Sequence, residues 1–199
     1  MKRLAAFTIL ILFAVSARAA QELPVRESPR PPTTNGVPHV QLGVTPDQKI
    51  YDQLLARVEA HEAIEIRPTI VSLPGALGFW IEEGVALARP DVIVRGREFA
   101  HLHTDGSLHA SLAPSLAAEA VAAGWAIPHP WANQRRGWEG FVMIYTPTTE
   151  AESDVVYDLI IAGLDFVRHG SDEASAVPRS FAAPSGTVTQ DPSQTCSTC

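Results

Sequence analysis

Cysteine, basic residues and nucleotide-binding motifs are scarce or missing in this chain of 199 residues, and each absence excludes a class of protein. Cys196 and Cys199 are the two cysteines, and they lie too close to the end of the chain to staple a core. Fifteen basic residues stand against 22 acidic ones, which argues against a general nucleic-acid binder because phosphates require a basic face. Without a Gly-x-Ser-x-Gly motif, a phosphate-binding glycine loop or a dinucleotide fingerprint, hydride and phosphoryl transfer are not expected.

The first 19 residues have the features of a secretory signal peptide. Lys2 and Arg3 precede an apolar run from Leu4 to Val15, and small residues before Ala20 suit cleavage after Ala19. The run is shorter than the roughly 20 apolar residues of a membrane span, so an uncleaved anchor is the lesser alternative. The sequence therefore predicts a secreted or periplasmic protein, in which Cys196 and Cys199 could pair with each other or with a second chain.

Composition divides the remaining chain into three parts. Residues 20–44 are polar and rich in proline, which is typical of a linker. Residues 170–199 contain few large apolar side chains and cannot bury enough surface to offset their ordering entropy, so we expect a disordered tail. A single folded domain is predicted over residues 45–169.

Three helices can be predicted from their ends and apolar stripes. Thr45 begins a capping box with proline in the first helical position, and apolar residues follow at helical spacing to Val58. An alanine-rich helix over residues 114–123 should end at Gly124. Thr149 begins a second capping box, and its helix should end at Gly170.

Strands are expected between these helices. Alternating or β-branched segments occur at residues 64–67, 78–81, 92–103, 108–112 and 141–146. Asp105 and Gly106 form a hairpin signal between two of them, because they tolerate the backbone of a tight turn. The order of elements predicts an α+β fold in which about three helices pack on an antiparallel sheet.

Four histidines within 29 residues are the main functional signal. His101 and His103 are two apart on a predicted strand and should share a face. A two-residue turn would put His109 on the other face, whereas a three-residue loop would pair it with His103 and bring all three together. His129, held between two prolines, could reach over the sheet.

Three roles are open for these imidazoles. His101, His103 and His109, with or without His129, could bind Zn, Fe or Cu. One of the four could instead act as a general base while the others donate hydrogen bonds to a developing anion. Some could also be ordinary core or turn histidines, although a buried imidazole is costly without a partner.

Aromatic and basic residues surround the same stretch. Trp125 and Tyr145 could stack against a flat ligand or could belong to the core. Arg135 could bind a carboxylate or an enolate, or could be an ordinary surface residue of a polar loop.

A set of short motifs resembles the luciferase domain of bioluminescent fungi. The set comprises His-x-His, Leu-His, Gly-Trp, His-Pro and Tyr-x-Pro, in that order along the chain. The similarity covers roughly residues 90–167 and is faint upstream. Each motif alone is weak, but the set in this order is specific.

The resemblance implies an oxygenase chemistry. Fungal luciferases oxygenate 3-hydroxyhispidin, an enolic α-pyrone, and need no flavin, nicotinamide or ATP in the light-emitting step. It implies that His101, His103, His109 and His129 form the catalytic site and that Trp125 and Tyr145 line it, whereas Arg135 is a substrate-binding candidate from its residue type alone. We therefore expect an exported oxygenase that takes O₂ and a small aromatic or enolic ligand, without an organic cofactor. The family also contains proteins that emit no light, so light emission is not expected.

Two alternatives stay open beside the oxygenase. A histidine-rich metal-binding protein or metalloenzyme would carry a stoichiometric metal ion. A binding module of the same fold would hold an aromatic ligand without turnover. No nucleic acid and no stable membrane partner are expected once the signal is cleaved.

Overall fold

The computed structural model describes residues 22–170, which form one α+β arrangement. Its helices are α1 (Gln48–Glu59), α2 (Pro114–Ala122) and α3 (Glu150–His169). Its strands are β1 (Ile64–Pro68), β2 (Leu77–Ile81), β3 (Glu98–Leu102), β4 (Leu108–Ser111), β5 (Ala126–Pro128) and β6 (Phe141–Ile144). All neighbouring strands of the sheet are antiparallel, so the predicted fold class is confirmed.

The six strands lie in the order β1-β2-β3-β4-β6-β5. The first four follow one another as in the chain, and β6 then pairs with β4 while β5 occupies the edge. This order places β3 and β4 at the centre of the sheet. Side chains on these two strands are therefore held by paired backbone on both sides.

The helices cover one face of the sheet. Ala110 on β4 faces α3, where Gly163 permits a close approach: a Cβ at Gly163 would lie 3.2 Å from the carbonyl oxygen of Ser111. Leu102 and Leu108 share the face of Ala110 and are fully buried in the core. Because successive strand residues point to opposite faces, the residues between them point away from the helices.

The helix ends follow the sequence closely. The Thr149 side chain accepts a hydrogen bond from the Glu152 amide, and Gly170 ends α3 in a left-handed conformation with φ of 73°, as predicted. Helix α1 begins two residues later than a Thr45 cap implies. Its cap is Asp47, whose carboxylate accepts from the Ile50 amide, because a negative charge suits the positive end of the helix dipole.

Two strand predictions differ from the structure. The strand expected over residues 92–103 is limited to β3, since Gly96 has φ of 61° and turns the chain just before it. Strand β5 was not expected because three residues ending in Pro128 are too short to show an alternating pattern.

Residues 22–44, which we call the N-terminal segment, lie against the domain, unlike the linker that their composition suggests. Leu23 is buried, and the indole nitrogen of Trp125 donates to the carbonyl oxygen of Pro24 at 2.6 Å. The Arg26 guanidinium donates to the carbonyl oxygen of Thr146 at 2.9 Å. Polar anchors of this kind leave no hydrophobic periodicity in the sequence, so composition alone does not reveal them.

Several predictions concern parts of the chain outside residues 22–170. The predicted signal peptide, nearly all of the predicted tail and both cysteines lie there. Among the helices that the structure describes, none has the length and apolar character needed to cross a bilayer.

Candidate functional site

The β3–β4 hairpin brings three of the predicted histidines together on the sheet face opposite the helices. His101 lies directly opposite His109 in the ladder. His103 and Ser107 continue the pairing beyond the two strands, because the His103 amide donates to the carbonyl oxygen of Ser107 at 2.8 Å, so the three residues 104–106 close the hairpin. The three imidazoles therefore share a face, as the three-residue loop predicts, but the partner of His109 is His101 and not His103.

The loop between these strands owes its shape to Asp105 and Gly106. Gly106 has φ of 82°, and its amide donates to the carbonyl oxygen of His103 at 3.0 Å. One Asp105 carboxylate oxygen accepts from both the amide and the hydroxyl of Ser107, at 2.9 and 2.7 Å. The Asp-Gly turn thus fixes Ser107 beside His103.

Two further histidines complete a group of five. His129 follows β5, and its ring centroid lies 4.6 Å from that of His109. His39 comes from the N-terminal segment, and its Nδ1 lies 3.3 Å from Nε2 of His109. All five histidines are at most 6 % exposed as whole residues. His39 was not predicted, because a histidine in a proline-rich stretch carries no pattern that marks it.

Glu98 is a second residue of this candidate site that the sequence analysis missed. It is 3 % exposed, and its Oε1 lies 3.2 Å from Nδ1 of His101. Burial alone would raise the pKa of the Glu98 carboxyl, but hydrogen bonds from His101, Thr69 and the Ile70 amide hold it below its usual value. The carboxylate is therefore charged and accepts a hydrogen bond from Nδ1–H of His101. Glu98 stands three residues before His101 in the sequence, but this spacing alone does not indicate that the two side chains are in contact.

His103 has partners on both ring nitrogens. Nδ1 lies 3.0 Å from the hydroxyl of Ser107, and Nε2 lies 3.1 Å from the hydroxyl of Ser72. Because the Ser107 hydroxyl already donates to Asp105, it accepts from Nδ1 of His103. In the neutral ring Nε2 then carries the lone pair and faces Ser72.

The environment keeps most of these rings uncharged. Burial, followed by the charge of neighbouring imidazoles, lowers the pKa of His103 to about 4 and that of His129 to about 3. The same causes hold the pKa of His109 well below its ordinary value, and burial lowers that of His39. At neutral pH these four imidazoles offer lone pairs and N–H groups rather than positive charge.

The five histidines line a cavity of about 230 Å³. Apolar side chains form most of the remaining wall, from the N-terminal segment, from the loop after β1 and from the region around β6. The lining residues besides the histidines are Val37, Pro38, Val40, Val71, Ser72, Leu73, Val94, Trp131 and Phe141. A wall of imidazoles thus faces mainly apolar side chains.

Three predicted ligand-binding residues lie elsewhere and do not line this cavity. Trp125 anchors the N-terminal segment through its indole nitrogen. Tyr145 is buried, with the Arg26 guanidinium 5.6 Å from its ring centroid. The guanidinium of Arg135 lies 4.5 Å from the ring centroid of Trp138. Trp125 and Tyr145 are buried in packing contacts, Arg135 is exposed, and the aromatic wall of the cavity comes instead from residues 131 and 141.

The histidines form two groups with the spacing of a metal site. His101, His103 and His109 make one, and His39, His109 and His129 make the other. Within each group the candidate ligand atoms lie within 4.8 Å of one another. The predicted group His101, His103 and His109 is therefore assembled, and His109 belongs to both.

Comparison with known proteins bears on the same residues. Residues 96–163 match the family model described as "Luciferase domain". Proteins named luciferase from the fungi Armillaria ostoyae, Armillaria mellea and Armillaria gallica are each 29 % identical over 174 residues. The alignments cover 73 % of this chain and 61 % of each relative, so the chain spans less than two thirds of their length. No solved structure shows a significant match. The matched stretch contains β3, β4 and four of the five clustered histidines, and the chain thus carries a luciferase-like domain.

Proposed function

We propose that the protein is a small-molecule oxygenase that acts on an enolic or phenolic substrate with O₂ and without an organic cofactor. The observation that carries this proposal is the group of five buried histidines along one wall of an otherwise apolar cavity. The kinship with fungal luciferases supports it further. Light emission is not part of the proposal.

The first step of the reaction is removal of the enol proton. An imidazole lone pair in the cavity accepts it, which leaves an enolate and an imidazolium. The enolate is electron-rich and is oxidised as its carbon forms a bond to O₂, while the dioxygen is reduced to a peroxide. Because His103 and His109 are neutral near pH 7, their lone pairs are available for proton transfer in that range.

His129 serves as a hydrogen-bond donor in this scheme. Its Nδ1 accepts from the Trp131 amide at 3.1 Å, so the proton of the neutral ring is on Nε2. An N–H group fixed by the backbone can stabilise the negative oxygen of an enolate or a peroxide without reorganising. The role matches the expected division of the cluster into one base and several donors.

The size of the cavity favours a compact substrate. Pockets for drug-sized ligands usually measure about 300–1,000 Å³, whereas this cavity measures about 230 Å³. A single hydroxylated ring fits that space, with Trp131 and Phe141 as flat apolar contacts. Larger substituents would extend through the opening. We propose hydroxypyrones and related phenols as the substrate class.

Export is a separate proposal that rests on residues 1–19. Removal of this segment would yield a secreted or periplasmic protein that begins at Ala20. Mass spectrometry of protein recovered from outside the cytoplasm measures the N-terminus directly. A mass that includes Met1 would contradict cleavage.

We expect His103→Ala to abolish O₂ consumption with hydroxypyrones while the fold is kept. The ring at position 103 lines the cavity beside Ser72, and its loss removes the Nε2 lone pair proposed as a proton acceptor. Uptake is followed with an oxygen electrode at neutral pH, and far-UV circular dichroism checks folding. His169→Ala is the matched control, because that side chain lies at the exposed end of α3.

Other outcomes of this experiment would separate the alternatives. Unchanged uptake in the His103→Ala protein would contradict the assigned role. Stabilisation of the wild-type protein by hydroxypyrones without any O₂ consumption would instead identify a binding module of the same fold.

A further inference from the structure

We infer that His101, His103 and His109 form a binding site for one divalent transition-metal ion that prefers imidazole ligands, with an open coordination position toward the cavity. Their candidate ligand atoms lie within 4.8 Å of one another, and all three side chains are buried. The inference concerns metal binding and does not depend on the oxygenase proposed above.

The outer nitrogen of each ring already has a hydrogen-bond partner. Nδ1 of His101 contacts the carboxylate of Glu98, and Nδ1 of His103 contacts Ser107. Nε2 of His109 lies 3.3 Å from Nδ1 of His39. Metal-binding histidines typically use their second nitrogen in this way, because the partner fixes the ring and its tautomer. The opposite nitrogens are Nε2 of His101, Nε2 of His103 and Nδ1 of His109. The first and the last share a hydrogen bond with each other, and Nε2 of His103 contacts the Ser72 hydroxyl, which can rotate and leave the lone pair of that nitrogen to an ion.

The alternative group is less suited to a metal. It requires His129, whose Nδ1 accepts a hydrogen bond from the Trp131 amide. A neutral His129 therefore carries its proton on Nε2, and that nitrogen has no lone pair for an ion. The ring would have to leave its backbone partner before it could bind. We therefore place His109 in the metal site with His101 and His103 and not with His39 and His129.

The distance between two of the inner nitrogens is close to that in a coordinated set. Nε2 of His101 and Nδ1 of His109 are 2.9 Å apart and share one hydrogen bond. Two nitrogens bound to the same tetrahedral ion at about 2.0–2.1 Å would be roughly 3.3 Å apart. Small rotations of the rings thus suffice to replace the shared proton by an ion.

The charges near the site favour a cation. Three neutral imidazoles do not offset a divalent charge, but the Glu98 carboxylate lies against His101. Asp105 stands behind Ser107 on the side of His103, with a carboxylate oxygen 4.0 Å from Nδ1 of that ring. The two acids place negative charge around the site without taking a coordination position. The metal-bound form is therefore compensated inside the fold.

The donor set also selects the kind of ion. Imidazole suits Zn²⁺, Cu²⁺, Fe²⁺ and Co²⁺, whereas Mg²⁺ and Ca²⁺ prefer oxygen ligands. Three protein ligands leave a tetrahedral ion with one open position, which is the arrangement of catalytic rather than structural sites. That position would face the cavity, where water or a ligand oxygen can complete the coordination.

Metal titration tests the inference without any substrate. The full chain is prepared without a histidine tag, stripped with a chelator and titrated with Zn²⁺ by calorimetry and with Co²⁺ by visible absorption. All samples carry the C196S and C199S substitutions, which remove thiol ligands outside the site. We expect one ion per chain and a Co²⁺ spectrum typical of tetrahedral coordination.

Variants locate the site. His103→Gln should weaken Zn²⁺ binding by more than about 100-fold because a ligand is lost, and Glu98→Gln should weaken it by about 10- to 100-fold through the orientation of His101. His129→Gln should bind with nearly wild-type affinity and is the matched control, since this residue is equally buried in the same cavity. Circular dichroism confirms folding of each variant, and the milder Glu98→Gln change tests the site if His103→Gln misfolds.

Two results would overturn the inference. One is the absence of stoichiometric Zn²⁺ or Co²⁺ binding to the folded chain. The other is loss of binding in His129→Gln with binding retained in His103→Gln, which would assign the ion to the second group. O₂ consumption is measured separately on stripped and loaded protein, so a metal-binding protein without turnover and a metal-free oxygenase give different results.

Discussion

Replacement of Gly140 by alanine is expected to lower the free energy of unfolding by at least about 4 kcal/mol, an exceptional effect for one methyl group. A Cβ at this position would overlap the carbonyl oxygen of Leu112 and lie 3.0 Å from its carbonyl carbon. The backbone of Leu112 cannot rotate away from this Cβ as a flexible side chain could. The Leu112 amide also donates to the carbonyl oxygen of Gly140 at 3.0 Å, so any shift breaks a bond between the ends of β4 and β6.

Thermal unfolding followed by circular dichroism measures this effect, which corresponds to a fall of roughly 10 °C in Tm for a domain of this size. Gly36→Ala is the matched control. No atom lies within 4 Å of a Cβ built at Gly36, so its Tm should change little. An equal Tm for the two variants would show that the contact between residues 112 and 140 is not as tight as the structure has it.

Removal of the Glu152 carboxylate should cost about 3 kcal/mol of unfolding free energy, the usual range for breaking a buried ion pair. Glu152 pairs with Arg26 at 3.3 Å, and the two side chains are 7 % and 1 % exposed. Glu152→Ala would leave the guanidinium buried with only carbonyl acceptors. The same carboxylate accepts from the amides of Ser28 and Thr148, so the N-terminal segment would also lose its hold on α3.

Glu150→Ala is the control for this prediction. Glu150 stands in the same helical turn, but its pair with Lys49 is 66 % and 70 % exposed and should contribute less than about 1 kcal/mol. Urea unfolding of both variants gives the comparison. If Glu152→Ala were no more destabilising than Glu150→Ala, the buried pair would not be what holds the N-terminal segment.

Glu152 should also make the free energy of unfolding depend on pH in the acid range. Burial raises the pKa of Glu152, but hydrogen bonds from Ser28 and Thr148 and the charge of Arg26 outweigh it and leave the pKa below 4.5. A carboxyl with a lowered pKa in the fold contributes stability above its unfolded pKa and loses it as the pH falls through the folded value. Wild-type stability should therefore decrease below about pH 4.5, and Glu152→Ala should reduce that dependence.

The sequence predicts the parts of this molecule that depend on local rules. Thr149 and Gly170 mark both ends of α3 because caps act over one helical turn. The shared face of His101 and His103 follows from strand alternation. Predicting the face on which His109 lies requires the length of the hairpin loop, and the Asp-Gly signal alone does not determine that length.

Residues far apart in the chain could not be assigned in this way. His39 reaches the cavity because Arg26 and Gln41 bind the Thr146 backbone and side chain, contacts that join positions more than 100 residues apart. Trp125 was a reasonable ligand contact by residue type, yet its indole nitrogen finds a partner in Pro24. The sequence does not indicate which distant group a polar side chain or an indole will bind, because the folded backbone sets these partners.

The cavity is bounded by two parts of the chain that are held in place in different ways. His101 and His109 are fixed on central strands, whereas Val37, Pro38 and Val40 belong to a segment attached by a few polar anchors. The apolar residues of this segment can therefore be exchanged while His101 and His109 stay fixed on the sheet. For the oxygenase proposed above, we expect substitutions at Val37, Pro38 and Val40 that retain His39 to alter which molecules enter the cavity and to leave the imidazoles in register. Substrate choice could then diverge without rebuilding the sheet.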